Sequence, residues 1–156
     1  MTASEITVRR ADTADAPELC RLIRELAAYE KMLDKCTATP ESVEAMMNEP
    51  NGLGGVIAEC GGRAVGMAVY SLYKLATFSG KRVLYLEDIY VEEAFRSRGA
   101  GGLLFEAVTA AARELDCIKV EWKCLAWNSS AREFYERRGG ISDPEWLTYT
   151  LDFRKD

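Results

Sequence analysis

Apolar residues recur along this chain with two periods, and the period changes from one segment to the next. Ile6 and Val8 alternate with Thr7 and Arg9, the two-residue repeat of a half-buried strand. Leu19, Leu22, Ile23 and Leu26 then fall three or four apart, which predicts a helix running to about Ala28. Its start is marked by Asp15-Ala16-Pro17-Glu18, an acidic cap with proline in the first turn and glutamate three after the cap. Thr39-Pro40-Glu41 repeats that signal and opens a second helix through Met47. After a turn-rich break over residues 48–55, residues 56–59 and 64–73 read as strands. The Gly61-Gly62 pair between them suits a tight hairpin.

Residues 83–91 predict a further strand whose phase slips. Leu84 and Leu86 occupy even positions, Ile89 and Val91 odd ones. Either a β-bulge lies near Glu87-Asp88 or the strand is buried on both faces. From Gly99 onward, Leu104, Val108, Ala111 and Leu115 mark a long helix, and residues 118–124 alternate as a half-buried strand. Asn128 caps a helix through Arg138 that Gly139-Gly140 ends, and residues 146–153 close the chain as a strand. The order β-α-α-β-β-β-α-β-α-β predicts an α/β (α+β) mixed sheet with helices on its faces. Without a repeat, linker or low-complexity tract, residues 1–156 read as one domain.

Composition narrows the chemistry. No apolar run reaches the ~18 residues of a membrane span, and the first residues lack the layout of a secretory signal. A soluble, cytoplasmic protein is expected. Twenty basic residues against 25 acidic ones give a net charge of −5, the wrong sign for a general nucleic-acid binder. The five cysteines, odd in number and without a CxxC pair, argue against a disulfide framework or a zinc site. Cys117 and Cys124 fall in or beside a strand and are expected at or near the core. Histidine is absent altogether, so every mechanism with a histidine base is excluded, and acid–base work falls to Asp, Glu, Tyr, Cys, Lys or water.

The stretch over residues 90–107, YVEEAFRSRGAGGLLFEA, joins a predicted strand to a predicted helix. Within it, Arg96-Ser97-Arg98-Gly99-Ala100-Gly101 frees backbone N–H groups at a helix start and adds two guanidinium charges. That combination suits a pyrophosphate, although a solvated turn has the same composition. It is not a GxxxxGK[ST] loop, and it lies too far along the chain for a dinucleotide fold.

Farther on stands Asn128-Ser129-Ser130-Ala131-Arg132-Glu133-Phe134-Tyr135. With this helix and the RxxGxG/A turn at Arg96–Gly101, the chain resembles the GNAT acetyltransferase superfamily along essentially its whole length. A closer likeness is to the spermidine/spermine N-acetyltransferase and thialysine acetyltransferase branch. It is carried by LAAYEK (26–31), LYLEDIYV (84–91), AWNSSAREFYERRG (126–139) and EWLTYTLD (145–152). The resemblance implies the GNAT acyl-CoA N-acyltransferase fold, a mostly antiparallel sheet flanked by helices. It also implies acetyl-CoA as donor, a primary amine as acceptor and a homodimer.

Residue roles follow from the same resemblance. Glu87 is the expected base acting through water, with Asp88 binding the substrate cation; the residues alone fit two solvated acids equally. Tyr135 is the expected general acid, a phenol of pKa ~10 able to protonate a thiolate of pKa ~8.5; a core-facing aromatic is the alternative. Asn128 would contact the pantetheine arm, cap its helix, or both. Ile89, Tyr90 and Val91 would offer backbone N–H groups to the acetyl carbonyl and pantetheine. Arg96, Ser97, Arg98, Gly99, Ala100, Gly101 and Gly102 would line the pyrophosphate turn. Tyr29 and Glu30 match a substrate-contacting pair, or else a solvated helix end. No metal is implied.

The chain departs from the branch just before residue 84. Polyamine-acetylating relatives carry an acid and a tryptophan there, where this chain has Lys74-Leu75-Ala76-Thr77-Phe78-Ser79-Gly80-Lys81. The acceptor stays open between a polyamine, a diamine, a lysine-like amino acid and another small amine. A protein lysine or N-terminal acetyltransferase is the alternative enzyme, and a non-catalytic acyl-CoA-binding module the alternative of another class.

Overall fold

A computed structural model describes residues 5–154. The chain divides into two compact units, one extending through Trp122 and the other starting at Lys123.

The first unit holds one five-stranded sheet in the order β1-β2-β3-β4-β5. Its strands are β1 (Ile6–Arg10), β2 (Gly54–Cys60), β3 (Arg63–Leu75), β4 (Lys81–Val91) and β5 (Cys117–Trp122). The first four pair antiparallel in chain order, and β5 runs parallel to β4. A parallel pair needs a crossover, which α3 (Ala100–Glu114) provides. The β2–β3 hairpin turns at Gly61 and Gly62, whose φ angles of 60° and 78° are those the twist of a two-residue turn demands.

Helices α1 (Ala16–Tyr29) and α2 (Pro40–Asn48) cover one face of the sheet. Leu19, Leu22 and Leu26 of α1 and Val43 of α2 pack with Ile57, Met67 and Val69, alternate residues of β2 and β3. The intervening positions, among them Val56, Ala58 and Ala68, serve the other face, where α3 buries Leu104, Val108 and Ala111. Arg21 ties α1 to the sheet. Its guanidinium donates to Glu25 at 2.6 Å, Glu92 at 2.8 Å and the Ala64 carbonyl at 2.9 Å.

The α2 start is as expected, with the Thr39 side chain accepting from the Ser42 N–H at 3.0 Å. At α1 the capping acid is a different one. Asp15 makes no side-chain cap; Asp12 accepts from the Ala14 N–H and caps a short 3-10 turn, Thr13–Asp15, that leads into the helix. The Asp15 carboxylate instead grips Arg9 through two 2.8 Å bonds and accepts from the Asp12 N–H.

In the second unit, α4 (Ser129–Arg137) ends before Gly139, which takes a φ of 87°. Residues 146–153 form no strand, correcting the expected closing one. Alternation marks a segment able to lie in a sheet, but a strand exists only where a neighbour completes its hydrogen bonds. Cys124 is exposed rather than near-core, because β5 ends at Trp122 and the thiol lies beyond it.

Candidate functional site

The chemistry of the first unit begins with a register slip in β4. Tyr70 pairs with Leu86, yet Val69, the next residue along β3, pairs with Asp88. Glu87 is therefore the extra residue of a bulge. In a regular strand Glu87 and Asp88 would point to opposite faces. The bulge makes two residues oppose one, so both carboxylates reach the α1–α2 side. The first half of β4 is also buried on both faces at Val83 and Leu84, so both readings of the slipped phase hold, each for one half of the strand.

Glu87 and Asp88 line a cavity of about 330 Å³. Its other walls are mostly apolar, Ile23 from α1, Val43 and Met46 from α2, then Ala38, Leu53 and Val69, with the hydroxyl residues Thr37 and Ser42 among them. Burial pushes the Asp88 carboxyl up to about 7, with repulsion from Glu87 and Glu30 adding to it. Glu87, exposed as a residue, and Glu30, half-buried, are each raised as well, by partial loss of water around the carboxyl. Sequence brought these three acids forward as candidates, and the fold sets their charges within reach of one another. The aliphatic walls were not foreseen, since helical spacing identifies a buried stripe without saying what faces it.

Beyond the bulge β4 keeps its β3 neighbour but loses β5, because the β4–β5 ladder ends at Leu86↔Trp122. Ile89, Tyr90 and Val91 thus have one edge outside that ladder, as an oxyanion-type role for their backbone requires. Arg96 is placed differently from a free phosphate-facing arginine. Its Nε donates to the Val91 carbonyl at 2.8 Å, and its guanidinium lies over the rings of Tyr29, at 5.3 Å, and Tyr90, at 5.6 Å. Arg98 lies over Phe95 at 5.3 Å. Tyr29, expected at the substrate, is joined through Arg96 to the start of the glycine-rich turn.

At that turn Ser97 and Gly99 both adopt left-handed backbone, with φ of 64° and 85°. Gly99 is the N-cap of α3 and no side chain caps the helix. Leu103 N–H closes the first turn onto the Gly99 carbonyl, so the N–H groups of Ala100, Gly101 and Gly102 precede the ladder. A Cβ on Gly99 would meet nothing within 4 Å, so the space beside the cap residue is open. Uncapped amides, a helix dipole and open space fit a diphosphate. Ala100 is buried, whereas Gly101 and Gly102 are half-buried.

In the second unit Asn128 caps α4, accepting from the Ala131 N–H at 3.2 Å. Tyr135 lies in the last turn, half-buried, with its ring edge-on to Phe134 at 5.4 Å. Arg138 covers the other aromatic, 3.8 Å from the centre of the Phe134 ring.

Residues 20–140 match the acetyltransferase (GNAT) family, and the chain belongs to it. It is an acetyl-CoA-dependent N-acetyltransferase, and the mouth of α3 is suited to the diphosphate of that donor. Among individual relatives, it is 31% identical over 147 residues to thialysine N-epsilon-acetyltransferase of Bos taurus, covering 86% of this chain and 83% of the relative. It is 32% identical over 161 residues to spermidine/spermine N(1)-acetyltransferase-like protein 1 of Homo sapiens; this covers 93% of the chain but only 22% of that longer protein. Its fold is shared with an aminoglycoside N-acetyltransferase solved with CoA, at 19% identity and a TM-score of 0.76, covering 96% and 97% of the two chains.

Proposed function

We propose that the protein transfers acetyl from acetyl-CoA to the primary amine of a small cationic molecule by direct attack. The observation that carries this reading is the bulge at Glu87, which turns two consecutive carboxylates onto one cavity with Glu30 close by. Acids so placed call for a cation. An ammonium of pKa ~10 arrives protonated and has no lone pair, so it must be held and then relieved of a proton. In this reading Asp88 holds the cation while Glu87 accepts its proton through water. Acetyl-CoA, when bound, supplies an activated thioester and a thiolate leaving group. The Ala100, Gly101 and Gly102 amides position the diphosphate, with Arg96, Ser97, Arg98 and Gly99 forming the turn around them. The β4 edge at Ile89, Tyr90 and Val91 orients the acetyl carbonyl. Asn128 steadies the pantetheine arm, and the Tyr135 hydroxyl gives its proton to the departing sulfur.

The relatives named for thialysine and for spermidine/spermine support an aliphatic amine as acceptor. A thiol-release assay across diamines, polyamines, lysine analogues and peptides tests the proposal. Release with small amines is the expected result. Release with peptides alone would move the function to protein acetylation, and acetyl-CoA binding without turnover would remove the enzymatic reading of the site.

We read residues 1–156 as a single catalytic domain, since the family match runs through both units. A homodimer accords with the closing segment, where Trp146, Leu147, Tyr149, Leu151 and Phe153 are 73–89% exposed. Large apolar side chains gathered in one segment mark a contact surface. Sedimentation should give twice the chain mass, and removal of residues 145–156 should give monomers; a monomeric full-length chain would refute the dimer. Five free cysteines suit a reducing compartment, in keeping with the cytoplasm. No helix among the described residues is long and apolar enough to cross a membrane.

A further inference from the structure

Beside its acids, the cavity has a second character. Past Glu87 and Asp88 its walls are Ile23, Val43, Met46, Leu53 and Val69, with Ala38 between the helices. Two hydroxyls interrupt them. That of Ser42 is committed to the α2 cap, where it accepts from the Thr39 N–H and donates to the Thr39 carbonyl, each at 3.0 Å. Thr37 supplies the other. The charged groups of the lining are thus two consecutive residues of β4, both acidic, and the lining brings in no lysine or arginine.

This polarity sets the shape of an acceptor. A molecule whose reacting ammonium meets Glu87 and Asp88 extends its remainder along Val43, Leu53 and Met46. A second ammonium there leaves water for aliphatic side chains and finds no carboxylate. The α-carboxylate of an amino acid meets either that apolar wall or the acids themselves, and both are unfavourable. A methyl, alkyl or aryl end instead buries apolar surface. The volume limits how much of an acceptor is enclosed. At the ~30 Å³ that one water occupies in the liquid, 330 Å³ admits on the order of ten non-hydrogen atoms.

We propose that this cavity selects primary amines with a single positive charge and an uncharged, largely apolar remainder of about ten non-hydrogen atoms or fewer, in preference to polyamines and α-amino acids. The inference rests on the amine-acetylating reading for its chemistry but not for its test, because ligand preference is read from binding.

The decisive pair is n-hexylamine and 1,5-diaminopentane, equal in length and different only in exchanging a terminal methyl for an ammonium. Titration calorimetry on the full-length protein saturated with CoA should give n-hexylamine at least tenfold the affinity of the diamine, with lysine weaker still. Met46 lies at the rim, 41% exposed, where a carboxylate is tolerated by the fold. Met46→Glu should offer the distal ammonium a partner and reverse the order, a swing of tenfold or more in the ratio of the two affinities. Tighter binding of 1,5-diaminopentane or lysine by the unaltered protein overturns the proposal. So does an unchanged ratio in Met46→Glu. Thiol release from acetyl-CoA is then measured with n-hexylamine. Preferential binding without release supports the cavity assignment while overturning acetyl transfer at this site, so the two claims fail separately.

Discussion

Tyr135→Phe should lower kcat by about 10²- to 10³-fold, the size of a lost general acid, and leave the KM for acetyl-CoA within about threefold of its original value. The expectation follows from where the proton is needed. As the amine attacks, negative charge collects on the departing sulfur, and a donor there stabilises the transition state without binding the ground state any more tightly. Loss of such a group lowers kcat and kcat/KM together. Phenylalanine keeps the ring and its edge-on contact with Phe134, so the packing of α4 is retained and only the hydroxyl disappears. The stopped-assay rate with a small amine is compared with acetyl-CoA affinity measured separately by calorimetry. A rate within a few-fold of the parent takes Tyr135 out of the chemistry. A parallel loss of donor affinity would make it a binding residue instead.

The bulge that turns Glu87 and Asp88 toward one cavity was visible in the sequence as a change of phase between Leu86 and Ile89. A single skipped position moves every later side chain across the sheet, so a local pattern suffices to detect it. The start of α1 shows the limit of such patterns. Asp12 and Asp15 both precede a helical run, and only the position of Arg9 on the adjacent strand decides that Asp15 is spent on an ion pair. Residues 146–153 show it again: their composition predicts a closing strand that the structure lacks, because whether a neighbour pairs with them is a property of the tertiary or quaternary structure. The aliphatic side of the cavity was invisible for a related reason. Val43 and Val69 stand 26 positions apart and become one wall only when α2 lies across β3. The motif places Arg96 at the anion turn, whereas its stack on Tyr29 and Tyr90 depends on where α1 ends.

Asp88→Asn should stabilise the protein at neutral and alkaline pH while weakening its hold on the amine by tenfold or more. An unfolded aspartate has a pKa of ~3.9; in the fold, burial first and the neighbouring Glu87 and Glu30 second push Asp88 up to about 7. Between these values the folded chain retains a proton that the unfolded chain has released. Stability contributed at this position is therefore greatest below ~4, declines as the pH rises and is lowest once the folded carboxyl ionises near 7. Asparagine, similar in size and uncharged, escapes that decline. Its advantage should be nearly absent at pH 4, grow through pH 5 and 6, and level off above pH 7. The difference between ~3.9 and about 7 corresponds to ~4 kcal/mol, and the solvent that still reaches Asp88 reduces this to on the order of 2 kcal/mol. Urea unfolding of both proteins across pH 4–8 measures the difference directly. A constant offset at every pH would assign it to packing rather than to charge, and no gain at pH 8 would show that the ionised carboxylate costs nothing in the fold. The amine reverses the balance, because a bound ammonium supplies the positive charge that the cavity lining does not. The same desolvation that destabilises the empty fold thus strengthens its attraction for a cation, and Asp88→Asn gives up the second effect to remove the first.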